Sequence, residues 1–335
     1  MSLIEAEHVQ KVFRVATRRT GRLAAVRTLL ARDYRDVRAV DDVSFKVEAG
    51  EMVGYIGPNG AGKSTTIKML TGILVPSGGR IEVDGRVPHL QRREHVRRLG
   101  VVFGQRTQLW WDLPVIESLE LLQHIYRIPT QRWRENLDTF SQLLDLGPFL
   151  ETPVRQLSLG QRMRADLAAA LLHDPKILFL DEPTIGLDVV ARERIRQFLT
   201  SINRERGVTV LLTTHDLDDV VRLCPRVVLI DHGRVIFDGA VEHLRTSFGR
   251  QRTLVLDLSE AEDPTQPISV SHAEVLRRDG PRVWLGFDRD AISAADLIAQ
   301  VVARYRIRDL TIVEPDIEAV VRGIYESGSL THTTR

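Results

Sequence analysis

The sequence predicts an α/β protein in two parts, a larger part built on a parallel β-sheet and a small α+β part that follows it. Continuous apolar runs, among them KILFLDE, VTVLLTTH and RVVLIDHG, alternate with helical stretches up to about residue 245. This alternation is typical of a parallel sheet that helices cover on both faces. After about residue 250, RTLVLDLS, HAEVLRRD and RVWLGFD instead predict antiparallel strands, and ISAADLIAQVVARY and DIEAVVRGIY predict two helices.

Composition narrows the class of protein. The 335 residues are 43% hydrophobic and 27% charged, as in an ordinary folded chain, and the formal net charge of +1 disfavours a nucleic-acid binder. Cys224 is the single cysteine, which excludes an intrachain disulfide and a cysteine-rich metal site. No signal-peptide pattern opens the chain, and no apolar run approaches the ~18 residues that span a bilayer, so we expect a chain that is soluble by itself.

The chain begins with predicted strands that an insert interrupts. Residues 2–15 predict the first strand, and AVDDVSFKVEAGEMVGYIG predicts two more with a turn at Ala49-Gly50. Between them, residues 17–38 predict a basic amphipathic helix, because apolar residues recur there at helical spacing: Leu23, Val26, Leu30, Tyr34 and Val37. The insert is either a solvated basic face over the domain edge or a docking surface for acidic lipid headgroups or a partner protein.

Helices and strands then alternate. A helix is predicted after Gly62, a strand in SGGRIEVDG, and a helix that leads into a strand in REHVRRLGVVFGQ. Residues 113–150 predict helices that break at Pro129 and at Gly147-Pro148, and residues 161–173 predict a buried helix rich in Ala and Leu. In the C-terminal part, SEAEDPTQPIS predicts a polar loop, and Asp316 after Pro315 predicts the start of the last helix.

A glycine-rich stretch after the apolar strand MVGYI has the spacing of a phosphate-binding loop. GPNGAGKST, residues 57–65, fits G-x-x-x-x-G-K-[ST] and precedes a predicted helix. Glycines let backbone N–H groups surround the phosphates of ATP, Lys63 adds a positive charge, and the Ser64 hydroxyl is a ligand for Mg²⁺. An ordinary glycine-rich turn is the alternative, which the strand–loop–helix context disfavours. We expect the whole loop to bind nucleotide: Gly57, Pro58, Asn59, Gly60, Ala61, Gly62, Lys63, Ser64 and Thr65.

Two acids, Asp181 and Glu182, end the apolar run ILFLDE, at the strand end where ligands of open α/β sheets collect. Asp181 suits an acid that orients Mg²⁺, and Glu182 suits the general base that activates the attacking water. Gln105 and His215 end two further apolar strands, so these side chains together predict one site for the γ-phosphate and the water. Without the phosphate loop, the acids would be interpreted as exposed strand caps, and Gln105 and His215 as structural residues.

A second serine-glycine turn lies far from that loop in the sequence. It is LSLGQ, residues 157–161, before a predicted helix. With this turn included, residues 1 to about 240 resemble the ATP-binding subunits of ABC transporters. In that family GPNGAGKST is the Walker A loop, LSLGQ the signature motif and ILFLDE the Walker B strand. Gln105 lies in the Q-loop, Asp188 of GLD in the D-loop, and His215 is the switch histidine, so all six motifs occur in the family's order.

The resemblance implies a P-loop NTPase core of ABC type, in which an antiparallel β subdomain and a helical subdomain at 113–165 accompany the parallel sheet. It implies an ATP-binding domain over 1–245 and an accessory α+β domain over 250–335. The accessory domain looks like the one appended to daunorubicin-type exporter ATPases. The insert and GQRTQLWWDLPVIESLELL look closest to an uncharacterised branch of that exporter group.

The resemblance also implies that two copies meet head to tail, so that each signature turn faces the ATP held by the other copy. Ser158, Gly160 and Gln161 would form a second anion cradle at a helix start. Asp188 would join the nucleotide site through the D-loop, and Gln105 would be a further Mg²⁺ ligand. Leu159 departs from the glycine that the family usually has, so we expect a working cradle with altered dimer strength.

Aromatic residues complete the predicted surface. In the family an aromatic residue near the N-terminus stacks on adenine, and Phe13 occupies the matching place, with a core position as the alternative. Trp110 and Trp111 follow the Q-loop, in the part that resembles the contact zone for the membrane subunit. Packing in the core of the helical subdomain is the alternative for the tryptophans.

The resulting prediction is an ATP-hydrolysing exporter subunit at the cytoplasmic face of the cell membrane. Its expected partners are permease subunits on separate chains and a second copy or a related ATPase subunit, with no nucleic acid. A soluble ABC ATPase acting on nucleic acid or ribosomes is one alternative, but the coiled coils or second ATPase domain typical of those proteins are not visible in the sequence. An importer subunit is the other, with an accessory domain that is usually richer in β-structure.

Overall fold

The computed structural model of the protein describes residues 2–16, 34–104, 106–214, 216–248, 251–259, 268–313 and 317–327. The chain divides into two compact units, Met1–Gly239 and Ala240–Arg335. Within the described residues, none of the helices has the length and apolar character of a membrane span.

The described part of the first unit contains a six-stranded and a three-stranded sheet. Its strands are β1 (Ser2–Ala16), β2 (Tyr34–Glu48), β3 (Met52–Ile56), β4 (Gly78–Val83), β5 (Leu99–Phe103), β6 (Ile177–Asp181), β7 (Thr209–Thr214), β8 (Arg226–Asp231) and β9 (Arg234–Ala240). The larger sheet has the order β5-β6-β7-β3-β8-β9, and its pairings from β5 to β8 are parallel. β3 and β7 are buried along their whole length, so the predicted parallel sheet with both faces covered is confirmed.

Helices connect these strands. They are α1 (Lys63–Leu70), α2 (Arg92–Val96), α3 (Val115–Tyr126), α4 (Thr130–Leu144), α5 (Leu159–Leu171), α6 (Val189–Arg206) and α7 (Leu217–Leu223). The predicted breaks at Pro129 and Gly147-Pro148 are confirmed, since α4 begins directly after Pro129 and a short 3₁₀ turn covers Gly147–Phe149. α5 begins two residues before its predicted start, because Ser158 caps it.

The three-stranded antiparallel sheet has the order β2-β1-β4. β1 pairs with β2 from Ser2 opposite Glu48 to Ala16 opposite Tyr34, but with β4 only as far as Gln10. Beyond that point β1 and β2 continue as a two-stranded ribbon. The amphipathic helix predicted over 17–38 is therefore wrong for residues 34–38, where ladder hydrogen bonds to β1 hold the backbone extended despite the helical spacing of the side chains. Residues 17–33 lie outside the described residues.

One buried apolar cluster joins both sheets of the first unit through α1. The rings of Phe45 on β2 and Tyr55 on β3 lie 5.3 Å apart, and both side chains are buried. The Tyr55 hydroxyl donates to Thr66 Oγ1 on α1 at 3.3 Å. Because Tyr55 and Thr66 flank the phosphate loop, this packing holds both ends of the loop in place.

The described part of the second unit is α8 (Val241–Phe248), β10 (Gln251–Leu258), β11 (Ala273–Asp279), β12 (Arg282–Asp288), α9 (Ala294–Arg304), β13 (Ile307–Val313) and α10 (Ile317–Ser327). Its strands form an antiparallel sheet in the order β11-β12-β10-β13, so the antiparallel strands predicted for RTLVLDLS, HAEVLRRD and RVWLGFD are confirmed. Leu297 and Val301 of α9 pack into the core of this sheet, and α8 packs against α10. Most of the predicted polar loop, and Asp316, lie outside the described residues.

Candidate nucleotide-binding site

The phosphate loop joins the carboxyl end of β3 to the amino end of α1. A side chain at Gly57 would place its Cβ 2.4 Å from the Ile230 carbonyl oxygen, and one at Gly62, where φ is +106°, would place it 2.5 Å from the Ala39 carbonyl oxygen. Such contacts are too short for carbon and oxygen, so glycine is required at both positions. The loop therefore presents its backbone closely at the amino end of α1, where the helix dipole favours an anion.

Lys63 is the buried cation of the loop. It is 7% exposed, and its ammonium group donates to the carbonyl oxygens of Gly57 at 2.6 Å and Pro58 at 3.2 Å. Burial lowers the pKa of Lys63, and the nearby charges of Glu182 and Asp181 oppose that change. The lysine thus lies along the loop, with its charge beside both acids.

Asp181, at the end of β6, accepts hydrogen bonds from two hydroxyl groups on one carboxylate oxygen. Ser64 Oγ donates to Asp181 Oδ1 at 3.0 Å, and Thr213 Oγ1 donates to the same atom at 2.6 Å. Ser64 and Asp181 were both predicted as metal ligands, and the structure brings them together. The sequence did not identify Thr213, because only the parallel register of β6 and β7 places it opposite Asp181.

Glu182 turns the chain at the end of β6. Its φ is +58°, an uncommon value for a residue other than glycine. Its N–H donates to the Thr213 carbonyl oxygen at 3.0 Å and to Thr213 Oγ1 at 3.2 Å, so β7 holds this conformation in place. Gly104 makes room for it, since a Cβ there would lie 2.2 Å from the Glu182 carbonyl oxygen.

A cavity of about 600 Å³ unites the loop with Glu182. Its lining contains much of the phosphate loop together with one acid of the strand end: Ala39, Asn59, Gly60, Gly62, Lys63, Ser64, Thr65, Glu182 and Ile185. The cavity thus joins glycine backbone, a buried cation and a carboxylate. It has the chemistry to hold a phosphate chain and to accept a proton beside it.

Gln105 and His215 fall outside the described residues, but the structure places their neighbours. Gly104 directly follows β5, and its N–H donates to the Asp181 carbonyl oxygen at 2.7 Å. Thr214 ends β7. β5 and β7 flank β6 in the sheet, so Gly104 and Thr214 lie on either side of the strand that ends in Asp181.

The serine turn of the signature motif is a helix cap. Ser158 Oγ accepts the Gln161 N–H at 3.2 Å, and the Gln161 side chain accepts the Ser158 N–H at 2.9 Å, which is a complete capping box. Gly160 allows close packing, since a Cβ there would lie 3.2 Å from the Ala191 Cβ. Ser158 is exposed, and the described lining of the cavity contains no residue of 157–161.

Two further predicted nucleotide contacts also lie outside the described cavity lining. Asp188 caps α6, where its Oδ1 accepts the Ala191 N–H at 2.8 Å. Phe13 lies half-buried on the ribbon opposite Val37, with the Lys11 ammonium group 5.2 Å from its ring centre.

The tryptophans after Gln105 lie at the surface. Trp110 is 39% and Trp111 is 51% exposed, so the interpretation of either as a core residue is wrong. Their segment is nevertheless fixed, because the Trp110 N–H donates to Ser118 Oγ at 3.2 Å and the Arg155 N–H donates to the Trp111 carbonyl oxygen at 3.0 Å. An ordered pair of exposed tryptophans is a feature of interaction surfaces.

The loop, its buried lysine and the Ser64–Asp181 contact are those of a P-loop nucleotide-binding protein with an α/β core. The sequence profile of the family described as ABC transporter matches residues 40–185. The solved structure of the ATP-binding cassette MJ0796, a dimer in a post-hydrolysis state bound to ADP and Pi, is 27% identical with a TM-score of 0.59. That similarity covers 71% of this chain and 98% of MJ0796.

Two relatives extend the match. The daunorubicin/doxorubicin resistance ATP-binding protein DrrA of Streptomyces peucetius is 36% identical over 265 residues, which is 79% of this chain and 78% of DrrA. The methionine import ATP-binding protein MetN of Geobacillus kaustophilus is 32% identical over 295 residues, which is 86% of this chain and 85% of MetN. The chain therefore belongs to the ATP-binding proteins of ABC transporters, a family of ATPases, and the predicted fold and its likeness to the daunorubicin-type group are confirmed.

Proposed function

We propose that the protein hydrolyses ATP as one half of a nucleotide-sandwich dimer and couples dimer closure to substrate movement through separate membrane subunits. The observation that carries this proposal is the separation of two anion-binding elements within one chain. The phosphate loop and Glu182 share a cavity, whereas the exposed Ser158 turn contributes nothing to its described lining. Because the capping box already orders that turn, it suits the phosphates held by another copy.

ATP is the substrate that the cavity suits, together with Mg²⁺. Ser64 and Asp181 offer the hydroxyl and carboxylate oxygens that Mg²⁺ prefers, and they lie within 3.0 Å of each other, so these residues fit the ion. Gln105 is the third proposed ligand. Bound Mg²⁺ would supply charge neutralisation at the β- and γ-phosphates.

Hydrolysis uses Glu182 as the base. The oxygen of a water molecule bonds to the γ-phosphorus, the bond from that phosphorus to the ADP oxygen breaks, and the Glu182 carboxylate accepts the proton of the water. Lys63 and the loop N–H groups stabilise the negative charge on the phosphate oxygens. Gln105 and His215 would complete the site of the attacking water.

The second copy would supply the remaining contacts. Ser158, Gly160 and Gln161 would hold the γ-phosphate across the interface, with Asp188 beside them. Val189 and Val190, directly after Asp188, are 80% and 72% exposed, which supports a surface that a second molecule covers. Phe13 on the ribbon would stack on the adenine. The second copy is identical or a related ATPase subunit.

Export is the proposed direction. The relative DrrA is named for resistance to daunorubicin and doxorubicin, and other relatives at 38–40% identity are named as Nod factor export proteins. An importer subunit is the second candidate, because the similarity to MetN covers 86% of this chain, more than the 79% covered by DrrA. Membrane subunits on separate chains would dock at the exposed Trp110 and Trp111, which would place the protein at the cytoplasmic face of the membrane.

Glu182→Gln tests the proposed chemistry. A general base contributes about 10²- to 10⁴-fold to a rate, so phosphate release should fall by at least about 10²-fold while fluorescent-ATP binding is retained. In that background, ATP and Mg²⁺ should double the mass measured by light scattering. Wild-type phosphate release in the Glu182→Gln variant would contradict the assignment of the base.

Ser158→Arg, added to Glu182→Gln, tests the contact between copies. It should prevent the ATP-dependent doubling of mass and spare ATP binding by the single copy. Ser293→Arg is the matched control, because Ser293 caps α9 in the same way, accepting the Asp296 N–H at 3.1 Å. A dimer that survives Ser158→Arg would refute the proposal that the serine turn completes the second copy's site.

A further inference from the structure

Asp166 is a buried acid in the middle of α5, a helix otherwise rich in Ala and Leu. It is 4% exposed and lies two turns beyond Ser158. Its Oδ1 accepts the Thr107 hydroxyl at 2.8 Å and the Gln108 N–H at 3.0 Å. The Gln108 side-chain amide donates in return to the Asp166 carbonyl oxygen at 2.9 Å, so three hydrogen bonds join this one residue to two successive residues after Gln105.

The same helix holds the next part of that segment. The Arg162 guanidinium, one turn before Asp166, lies 5.7 Å from the centre of the Trp111 ring. The Leu109 N–H donates to Thr107 Oγ1 at 3.1 Å, so the threonine hydroxyl bonded to Asp166 also shapes the backbone that leads to the tryptophans. The segment from Thr107 to Trp111 is therefore attached to the helix whose first turn carries Ser158.

Burying the Asp166 carboxylate lowers the stability of the fold. Burial raises the pKa of Asp166 from 3.8 to about 6, and the hydrogen bonds from Gln108 and Thr107 and the charge of Arg162 lower it only in part. Between about pH 4 and 6, Asp166 therefore keeps its proton in the folded protein, whereas it has lost it in the unfolded chain. Ionisation of the buried carboxyl consequently destabilises the fold increasingly as the pH rises through that range. An apolar residue would pack there without this cost, but it could not accept the two hydrogen bonds.

We infer that Asp166 is a positioning residue that fixes the segment after Gln105 to the signature helix. Gln105 serves the ATP site of its own copy, whereas Ser158 serves that of the other, so this attachment sets the two half-sites relative to each other. The inference rests on the proposed function, because only a two-copy site makes the two positions depend on each other.

The test compares Asp166→Ala and Asp166→Asn with wild type in three measurements: fluorescent-ATP affinity, kcat for phosphate release, and Tm. Hydrogen bonds to a charged group are each worth at least about a factor of ten, so Asp166→Ala should lower kcat at least about tenfold while ATP affinity changes less than about twofold. Asp166→Asn keeps one accepting oxygen but loses the charge, so its kcat should lie between those of wild type and Asp166→Ala at pH 7.5. Its Tm there should equal or exceed that of wild type.

A pH series separates positioning from a structural role. Among the described residues, the charged group that acts on the Asp166 carboxyl is Arg162, on the same helix, while Thr107 and Gln108 do not ionise. As the pH falls through about 6, wild-type Asp166 becomes protonated, so the ratio of wild-type kcat to Asp166→Asn kcat should approach one. Inflections from other groups occur in both proteins and cancel in this ratio.

Asn136→Ala is the matched control for a general loosening of the packing. Asn136 on α4 is 1% exposed and donates to the Leu172 carbonyl oxygen, at the far end of α5, at 3.0 Å. The Asn136→Ala substitution should lower Tm and leave kcat at 25 °C near that of wild type. Unchanged kcat in Asp166→Ala, a fall in kcat that Asn136→Ala matches, or a pH-independent ratio would overturn the inference. The Glu182→Gln dimer test is separate, so a failed dimer would reject the proposed function and a normal dimer with normal Asp166→Ala kinetics would reject only this inference.

Discussion

Replacing Thr213 with valine would remove one hydroxyl from the centre of the site and leave the outline of the side chain. Thr213 is fully buried on β7, opposite Asp181 in the parallel register. Its hydroxyl donates to Asp181 Oδ1 at 2.6 Å and accepts the Glu182 N–H at 3.2 Å. A single substitution thus changes the support of both acids without changing either acid.

The expected fall in kcat follows from the hydrogen bonds that Asp181 and Glu182 keep in the Thr213→Val variant. The Glu182 N–H still has the Thr213 carbonyl oxygen at 3.0 Å, so the left-handed turn should persist. Of its two hydrogen bonds from hydroxyl groups, Asp181 Oδ1 retains only the one from Ser64 at 3.0 Å. A hydrogen bond to a charged group contributes about 1.5–3 kcal/mol, and we therefore expect kcat to fall about 10- to 100-fold at saturating ATP and Mg²⁺.

Phosphate release and Tm would be measured side by side with Thr209→Val. Thr209 is equally buried on the same strand, and its hydroxyl accepts the Gly50 N–H at 2.8 Å, at the end of β7 away from the acids. Both variants should lose stability, but only Thr213→Val should lose turnover. Wild-type kcat in Thr213→Val, or equal losses of kcat in the two variants, would refute the assignment of Thr213 to the support of the acids.

Three further outcomes are expected. Gly62→Ala should abolish fluorescent-ATP binding, because its Cβ would meet the Ala39 carbonyl oxygen at 2.5 Å; Gly60→Ala, with nothing within 4 Å, should weaken it less, and equal effects would contradict the steric argument. Trp111→Ala should leave phosphate release by the isolated protein unchanged and reduce its co-purification with membrane proteins; undiminished recovery would remove Trp111 from the docking surface. Cys224, buried and with its thiol pKa raised by burial, should react with a thiol reagent only as the fold opens in urea, and rapid labelling of the native protein would contradict that burial.

The phosphate loop and the acid pair could be predicted because their chemistry is local. Glycine at fixed spacing permits one backbone path, and an apolar strand that ends in Asp181 and Glu182 brings both acids to the ligand edge of a parallel sheet. Thr213 could not be predicted in the same way, since a threonine inside an apolar strand is ordinary core material until the register places it opposite Asp181. Asp166 was not predicted for a similar reason, because its hydrogen-bond partners Thr107 and Gln108 lie 59 and 58 residues earlier in the sequence.

The ribbon shows where periodicity alone misleads. Tyr34 and Val37 lie three residues apart, which satisfies a helix, yet the same residues continue the pairing of β2 with β1 out to Ala16. A helical spacing measured over a few residues is weaker evidence than a ladder of backbone hydrogen bonds to a strand that is already formed. Long-range pairing therefore decided the conformation of 34–38, and no pattern within the segment carries that information.

Leu159 illustrates how a departure from a family motif is absorbed within the same chain. A leucine in place of glycine needs space beside the serine turn, and Gly186 of the following loop lies next to it, where an added Cβ would come within 3.0 Å of Leu159 Cδ2. The capping box uses only Ser158 and Gln161, so the leucine side chain takes no part in ordering the turn. Gly160 keeps the close approach to Ala191. Leu159 thus fills space between the signature turn and Gly186, and it leaves the capping box of Ser158 and Gln161 intact. The role proposed for the turn, to bind the phosphates held by another copy, therefore does not require glycine at position 159.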